Sequence, residues 1–300
     1  MSQKKSAYVA FAMLGFIWGT NFIFMKWAAA LISPAQIVLL RVAFGFAPLL
    51  VLALARGSLR VAHLRHLHHF FVMALLATAV YYFAFAQGTA LLPSGIAGML
   101  SGAIPLFSFL TAFVFLRQEP INRYTVLGLL LGFAGVLLIA RPWGVSGSGI
   151  DMHGVMYMIG GSLSVGCSFV YARRFLVDKD ISPVALSTYQ IGLALLVLWL
   201  VTDLGGIEQI LNDRWALAGL VFGLGLAGTG LAYVLYYFIV QHLGALKAAG
   251  VTYIPPVVAL AIGSLLVHEP LRTMDLAAMG LILGGVYVLQ SGKLLTSRPS

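Results

Sequence analysis

Two stretches decide the fold: "SFLTAFVFLRQEP" (Ser108–Pro120) and "IGSLLVHEP" (Ile262–Pro270), each a long apolar run closed by Glu-Pro. The two endings lie about 150 positions apart in a chain of 300 residues. Proline disfavours helix at the residue before it, so both stretches read as helix ends. Around them the chain is 61% hydrophobic and 9% charged, whereas soluble domains carry about 25% charge. So little charge cannot cover a surface in water. Apolar runs of about 20 residues, long enough for a bilayer core about 30 Å thick, recur along the whole length. The runs are continuously apolar and not alternating, which argues against a β-barrel.

Ten spans are predicted, at about Ala7–Leu31, Pro34–Ala55, Phe70–Leu92, Ile96–Leu116, Thr125–Ala140, Gly154–Phe175, Pro183–Thr202, Trp215–His242, Lys247–Val267 and Leu276–Gln290. The Gly/Ser-rich stretch "RPWGVSGSGIDMHG" (Arg141–Gly154) is the natural boundary between two halves. The expected organisation is a five-helix repeat over residues 7–140, a linker over 141–153 and a second five-helix repeat over 154–291. The halves share landmarks. "ISP" opens the second span of each, at Ile32–Pro34 and Ile181–Pro183. Pro105 stands before Glu119-Pro120 as Pro255 stands before Glu269-Pro270, and "GLLLG" at Gly128–Gly132 answers "GLILG" at Gly280–Gly284. Trp18–Phe22 aligns with Val165–Phe169. Repetition of this kind marks a duplicated architecture.

Five spans per half force the halves to enter the membrane from opposite sides, so the repeats are expected to be inverted. With the N-terminus in the cytoplasm, Lys4, Lys5, Arg56, Arg60, Arg65, Arg117, Arg123, Arg173, Arg174, Lys179, Lys247, Lys293 and Arg298 face inward, and Arg141, Arg214 and Arg272 face outward. That bias places both termini in the cytoplasm. It also accounts for the net charge of +9 without nucleic acid. The basic start and Ala28–Ala30 resemble a signal peptide, but the apolar run is longer than a signal core and reads as an uncleaved first helix. Cys167 is the sole cysteine, which excludes an intrachain disulfide.

These residues carry a resemblance. "WGTNFIFMKWA" from Trp18, "ISPAQIVLLR" ending at Arg41, the proline-bearing fourth span and the terminal Glu-Pro resemble the drug/metabolite transporter superfamily. More narrowly, they resemble the EamA-type ten-helix exporters, including the YddG-like amino-acid exporters of bacteria. The resemblance spans roughly residues 7–291. It implies alternating access around a central cavity, export of small metabolites, no cofactor and a bacterial inner membrane. His268 before Glu269 departs from the more basic residues common in the family at that point.

Inverted repeats place substrate near the bilayer midplane, between the halves. Polar groups there are costly unless they serve a cavity or pair with one another. Trp18 and Asn21 share one face of the first helix, where an indole and an amide suit a zwitterion; helix packing with a local hydrogen bond is the competing reading. Among the tyrosines, Tyr82 and Tyr253 are the candidates for cavity walls. Arg41, a third of the way into its span, would either attract a substrate carboxylate, or snorkel to the outer interface or pair with helix-end carbonyls; its counterpart in the second half is near Gln190. Lys26 is expected to snorkel. Glu119 and Glu269 would terminate their helices and bond to neighbouring helix ends, or serve gating or coupling.

All nine acidic residues fall in loops or at span ends, so a buried carboxylate relay is not expected and transport would be facilitative. "GLGLAG" (Gly223–Gly228) fits a dinucleotide pattern but lies inside an apolar span, where it reads as close packing. The cluster His63, His66, His68 and His69 lies in a basic loop suited to anionic headgroups more than to metal. The leading expectation is an exporter of amino acids or similar metabolites through a largely uncharged aromatic cavity. A drug or quaternary-ammonium exporter is the alternative, using cation–π contacts where a buried carboxylate is lacking. A membrane-embedded enzyme or scaffold is the alternative from another class. No HExxH, carboxylate pair or His beside a mid-span Ser supports an enzyme.

Overall fold

The computed structural model describes residues 3–116, 123–141, 150–176, 179, 181–243 and 250–296. Among these there are helices and no strands. Eight helices are long and apolar enough to span a bilayer: α1 (Lys4–Ala29), α2 (Pro34–Ala55), α3 (Val61–Leu91), α4 (Ser94–Phe115), α5 (Arg123–Ala140), α6 (Met152–Phe175), α7 (Pro183–Val201) and α8 (Arg214–Leu243). Two shorter apolar helices follow, α9 (Gly250–Leu266) and α10 (Thr273–Val288). Each coincides with an expected span. Large apolar side chains such as Val51, Leu54, Leu200, Leu265, Leu266 and Tyr287 are exposed on the outer surface, which a lipid-facing surface tolerates and water does not.

Local chemistry fixes several helix starts. Ser33 and Gln36 form a reciprocal capping box at the start of α2, with Pro34 at the first helical position. Ser182 caps α7 one-sidedly, by accepting from Ala185 N at 3.2 Å, with Pro183 at the first helical position. α4 breaks between Ser101 and Ile104. Pro105 has no N–H to return to Ser101, so the break falls where the ladder lacks a donor. In α9 the turn Gly250–Tyr253 precedes Ile254–Leu266, which opens on Pro255 and Pro256.

Packing crosses between the halves in an exchanged pattern. α2 packs on α8 while α7 packs on α3; α1 packs on α8 and α9 while α6 packs on α3 and α4. Three further contacts, α2 with α7, α4 with α9 and α5 with α10, join corresponding helices. The core between the halves includes Phe22, Met25, Ile37, Leu100, Leu106 and Ile139. At the α5–α10 edge, buried Arg141 is ion-paired with buried Asp275, whose Oδ2 also accepts from Arg272 N at 3.0 Å.

α4 crosses α9 closely. A Cβ at Gly98 would lie 2.1 Å from the Cβ of Ala259. Overpacking of this kind costs about 1–3 kcal/mol. Gly98→Ala is therefore expected to lower the apparent melting temperature in detergent. Gly160→Ala, where a Cβ meets nothing within 4 Å, is expected to leave it unchanged.

Candidate functional site

Arg41 is the eighth residue of α2, about 10 Å along the helix from its start. It is 5% exposed. Its guanidinium lies over the Tyr82 ring at 3.9 Å. Nε donates to Thr229 Oγ1 at 3.1 Å, and Nη2 donates to Gly228 O at 3.4 Å. With its amide oriented to satisfy both neighbours, Asn21 donates to Ile17 O at 3.2 Å and accepts from Arg41 Nη2 at 3.2 Å. The reach to the outer interface expected of a snorkelling arginine is not what forms: α1, α3 and α8 enclose the side chain. No carboxylate accepts from Arg41, and Nη1 has no hydrogen-bond partner among the described residues. Guanidinium has five donors, and a buried charge left without a counterion costs several kcal/mol.

The partners come from a distorted part of α8. Gly219–Leu231 is wound as π-helix, and Thr229 Oγ1 donates to Leu224 O, five residues back, at 3.0 Å. π-Helical segments occur frequently at functional sites. Gly228 admits Asn21, whose amide end would lie 2.5 Å from any Cβ there. A Cβ at Gly223 would likewise strike the Phe24 ring at 2.3 Å, so the glycine run serves close packing.

A second cluster mirrors the first. Gln190 is the eighth residue of α7. Its Nε2 donates to Thr78 Oγ1 at 2.9 Å and to Tyr233 Oη at 3.5 Å. Thr78 lies in the other π-helical segment, Leu75–Ala79 of α3. Arg41 thus meets Tyr82 of its own half and Thr229 of the other, and Gln190 meets Tyr233 of its own half and Thr78 of the other.

Glu269 ends up on a neighbouring helix end. Oε1 accepts from Ser94 N at 2.7 Å and Ser94 Oγ at 2.8 Å, and Oε2 accepts from Gly95 N at 2.9 Å. These are the first residues of α4, whose unpaired N–H groups favour an anion. Lys26 is half-buried and bonds to the neighbouring helix end. Its Nζ donates to Ala90 O at 3.0 Å and Leu92 O at 2.8 Å, at the end of α3. Lys26 and Glu269 therefore hold the two sides of the α3–α4 turn, each with the charge sign its helix end prefers. Glu119 lies outside the described residues.

The remaining candidates sit apart or stay silent. Asn21, Arg41 and Tyr82 are brought together. Trp18 packs instead on Tyr236, ring centroids 6.3 Å apart, in a separate apolar cluster. Tyr253 packs against the main core, and its buried hydroxyl has no hydrogen-bond partner among the described residues. In the histidine segment, the His68 and His69 rings approach to 3.9 Å, and His69 Nδ1 is 2.8 Å from Tyr171 Oη. Among the described residues no three His, Cys, Asp or Glu gather as a metal site. Thr229 and Thr78 were not singled out from sequence, where the only signal was their place in mid-span; Gly228 entered only through the close-packing reading of "GLGLAG".

The model of the EamA-like transporter family matches residues 5–141 and 152–290. An uncharacterized transporter of Archaeoglobus fulgidus is 24% identical over 94% of this chain and 98% of its own length. The uncharacterized transporter YoaV of Bacillus subtilis is 26% identical, covering 91% and 92%. The uncharacterized inner membrane transporter YedA of Escherichia coli K12 is 25% identical, covering 98% and 93%. A solved crystal structure, 19% identical, aligns over 98% of this chain and 99% of that one with a TM-score of 0.58, a likeness of fold. With the family model covering both halves, this chain belongs to the EamA-like transporter family and is a membrane transporter.

Proposed function

We propose that this transporter exports small carboxylate-bearing metabolites, amino acids first among them, by alternating access between two inverted five-helix halves. One observation carries the substrate class: the guanidinium of Arg41 is buried between the halves and, among the described residues, has no carboxylate partner and no acceptor for Nη1. A substrate carboxylate supplies the missing charge, and arginine binds carboxylates through two parallel N–H donors. A quaternary-ammonium cargo would meet a like charge there. The exchanged packing of α1–α5 with α6–α10 supports inverted repeats, and ten spans follow if α9 and α10 also cross. The cavity is then aromatic at Tyr82 and cationic at Arg41.

On the side opposite the termini, Lys26 braces the α3–α4 turn within the first half and Glu269 ties that turn to the second half. This arrangement supports a gate there, closed in this structure. The basic loops favour cytoplasmic termini, and the likeness to YedA supports an inner membrane. Among the described residues no carboxylate lies in mid-span, which favours facilitation over proton coupling. Proteoliposomes test this. Uptake of labelled amino acids is expected without a pH gradient; uptake only with a gradient would contradict the facilitative reading.

A further inference from the structure

We propose that Gln190 is the residue that sets the charge of the substrate, admitting monocarboxylates and rejecting dicarboxylates. The inference rests on the carboxylate reading of Arg41. Its independent support is the crossed pair of clusters. Arg41, Tyr82 and Thr229 form one; Gln190, Tyr233 and Thr78 form the other. They occupy the same positions with the halves exchanged. Both threonines stand in π-helical segments, so the distortion is repeated along with the residues.

The two clusters also share helices. Thr78 and Tyr82 are four residues apart on α3, and Thr229 and Tyr233 are four apart on α8. Four residues advance a helix by about 6 Å. A ligand held by Arg41 therefore has its other end about one helical turn away, within reach of Gln190, which is 4% exposed. That distance matches the polar ends of a small metabolite.

Pseudo-symmetry makes the chemical difference informative. One half supplies a permanent cation and the other an uncharged amide at the same place. An amide accepts a hydroxyl, amide or ammonium group through its oxygen and donates through its nitrogen. It cannot neutralise a second carboxylate, and a desolvated anion without a counterion is strongly disfavoured. The site therefore reads one carboxylate at Arg41 and an uncharged or ammonium-bearing end at Gln190.

The test is uptake of labelled glutamine and glutamate into proteoliposomes, a pair differing in that second end. The wild-type protein is expected to favour glutamine by about tenfold or more. Gln190→Arg is expected to shift the ratio toward glutamate by about tenfold or more. Gln190→Glu, close to isosteric, places an anion near Arg41 and is expected to weaken glutamine uptake while favouring lysine. The exchange Arg41→Gln with Gln190→Arg moves the cation to the other half and is expected to regain glutamine uptake lost in Arg41→Gln alone. Monodispersity in detergent checks that each variant folds; Gln190→Glu serves where Gln190→Arg does not. Arg41-dependent uptake whose glutamine-to-glutamate ratio ignores Gln190 would overturn this inference and leave the proposed function standing. Uptake that ignores Arg41 as well would overturn both.

Discussion

Arg41→Met is expected to abolish most carboxylate transport while leaving the protein at least as stable as before. Hydrogen bonds to charged groups contribute about 1.5–3 kcal/mol each. Losing one or two of them to a substrate carboxylate should lower kcat/KM by about 10- to 100-fold or more. Stability moves the other way. Among the described residues Arg41 is buried with no acidic partner, so an apolar side chain of similar volume removes a desolvation cost of several kcal/mol. Asn21 then loses one partner but keeps its bond to Ile17 O. Arg41→Lys keeps the charge and loses the planar fork, so an intermediate loss is expected. Uptake and detergent melting curves on the same preparations read both effects. A structural arginine would give the reverse pattern, with stability and transport falling together.

Glu269→Gln is expected to loosen the gate. The carboxylate takes both α4 amides and the Ser94 hydroxyl. A glutamine keeps the shape, but it presents an NH2 where one of those donors needs an acceptor and removes the charge that the helix end favours. A loss of about 2 kcal/mol, in line with a lost N-cap, would change the closed-to-open ratio about 30-fold. Ile96 is buried and lines the small cavity beside Glu269. In a background with Cys167→Ser, a cysteine at position 96 should react with an impermeant maleimide much faster once Glu269 is glutamine. Equal rates would show that the Glu269 bonds do not hold this side shut. The packing around Glu269 leaves little slack: a Cβ at Gly263 would lie 2.4 Å from Oε2.

Much of the architecture was legible because bilayer thickness imposes a length on every span. The apolar runs, the paired "ISP" starts and the Glu269-Pro270 end mark helices whose limits the structure matches within a few residues, except that α3 opens at Val61 and not at Phe70; the Glu119-Pro120 end lies outside the described residues. Bonding of Glu269 to a neighbouring helix end was also readable, since a carboxylate beside a helix terminus has few other partners. The fate of Arg41 was not. Its partners Gly228 and Thr229 lie almost 190 residues away, and local sequence does not encode which helix packs beside it. The same holds for Lys26, whose acceptors are carbonyls at the end of α3. The π-helical turns left no pattern either, because Leu75–Ala79 and Gly219–Leu231 keep the apolar composition of ordinary helix. Trp18 shows the limit of reading one helix face: it lies three residues before Asn21, yet it packs on Tyr236.

The most direct measurement compares ligands and leaves the protein unaltered. Purified wild-type protein is titrated with a panel of amino acids and with the corresponding amino-acid amides, and thermal stabilisation is followed. The amide keeps the side chain and the ammonium and removes only the carboxylate charge. Saturable stabilisation by acids, with amides weaker by about tenfold or more, is the predicted result, and it should vanish in Arg41→Met. Amides that stabilise as well as the acids would contradict the claim that Arg41 awaits a carboxylate.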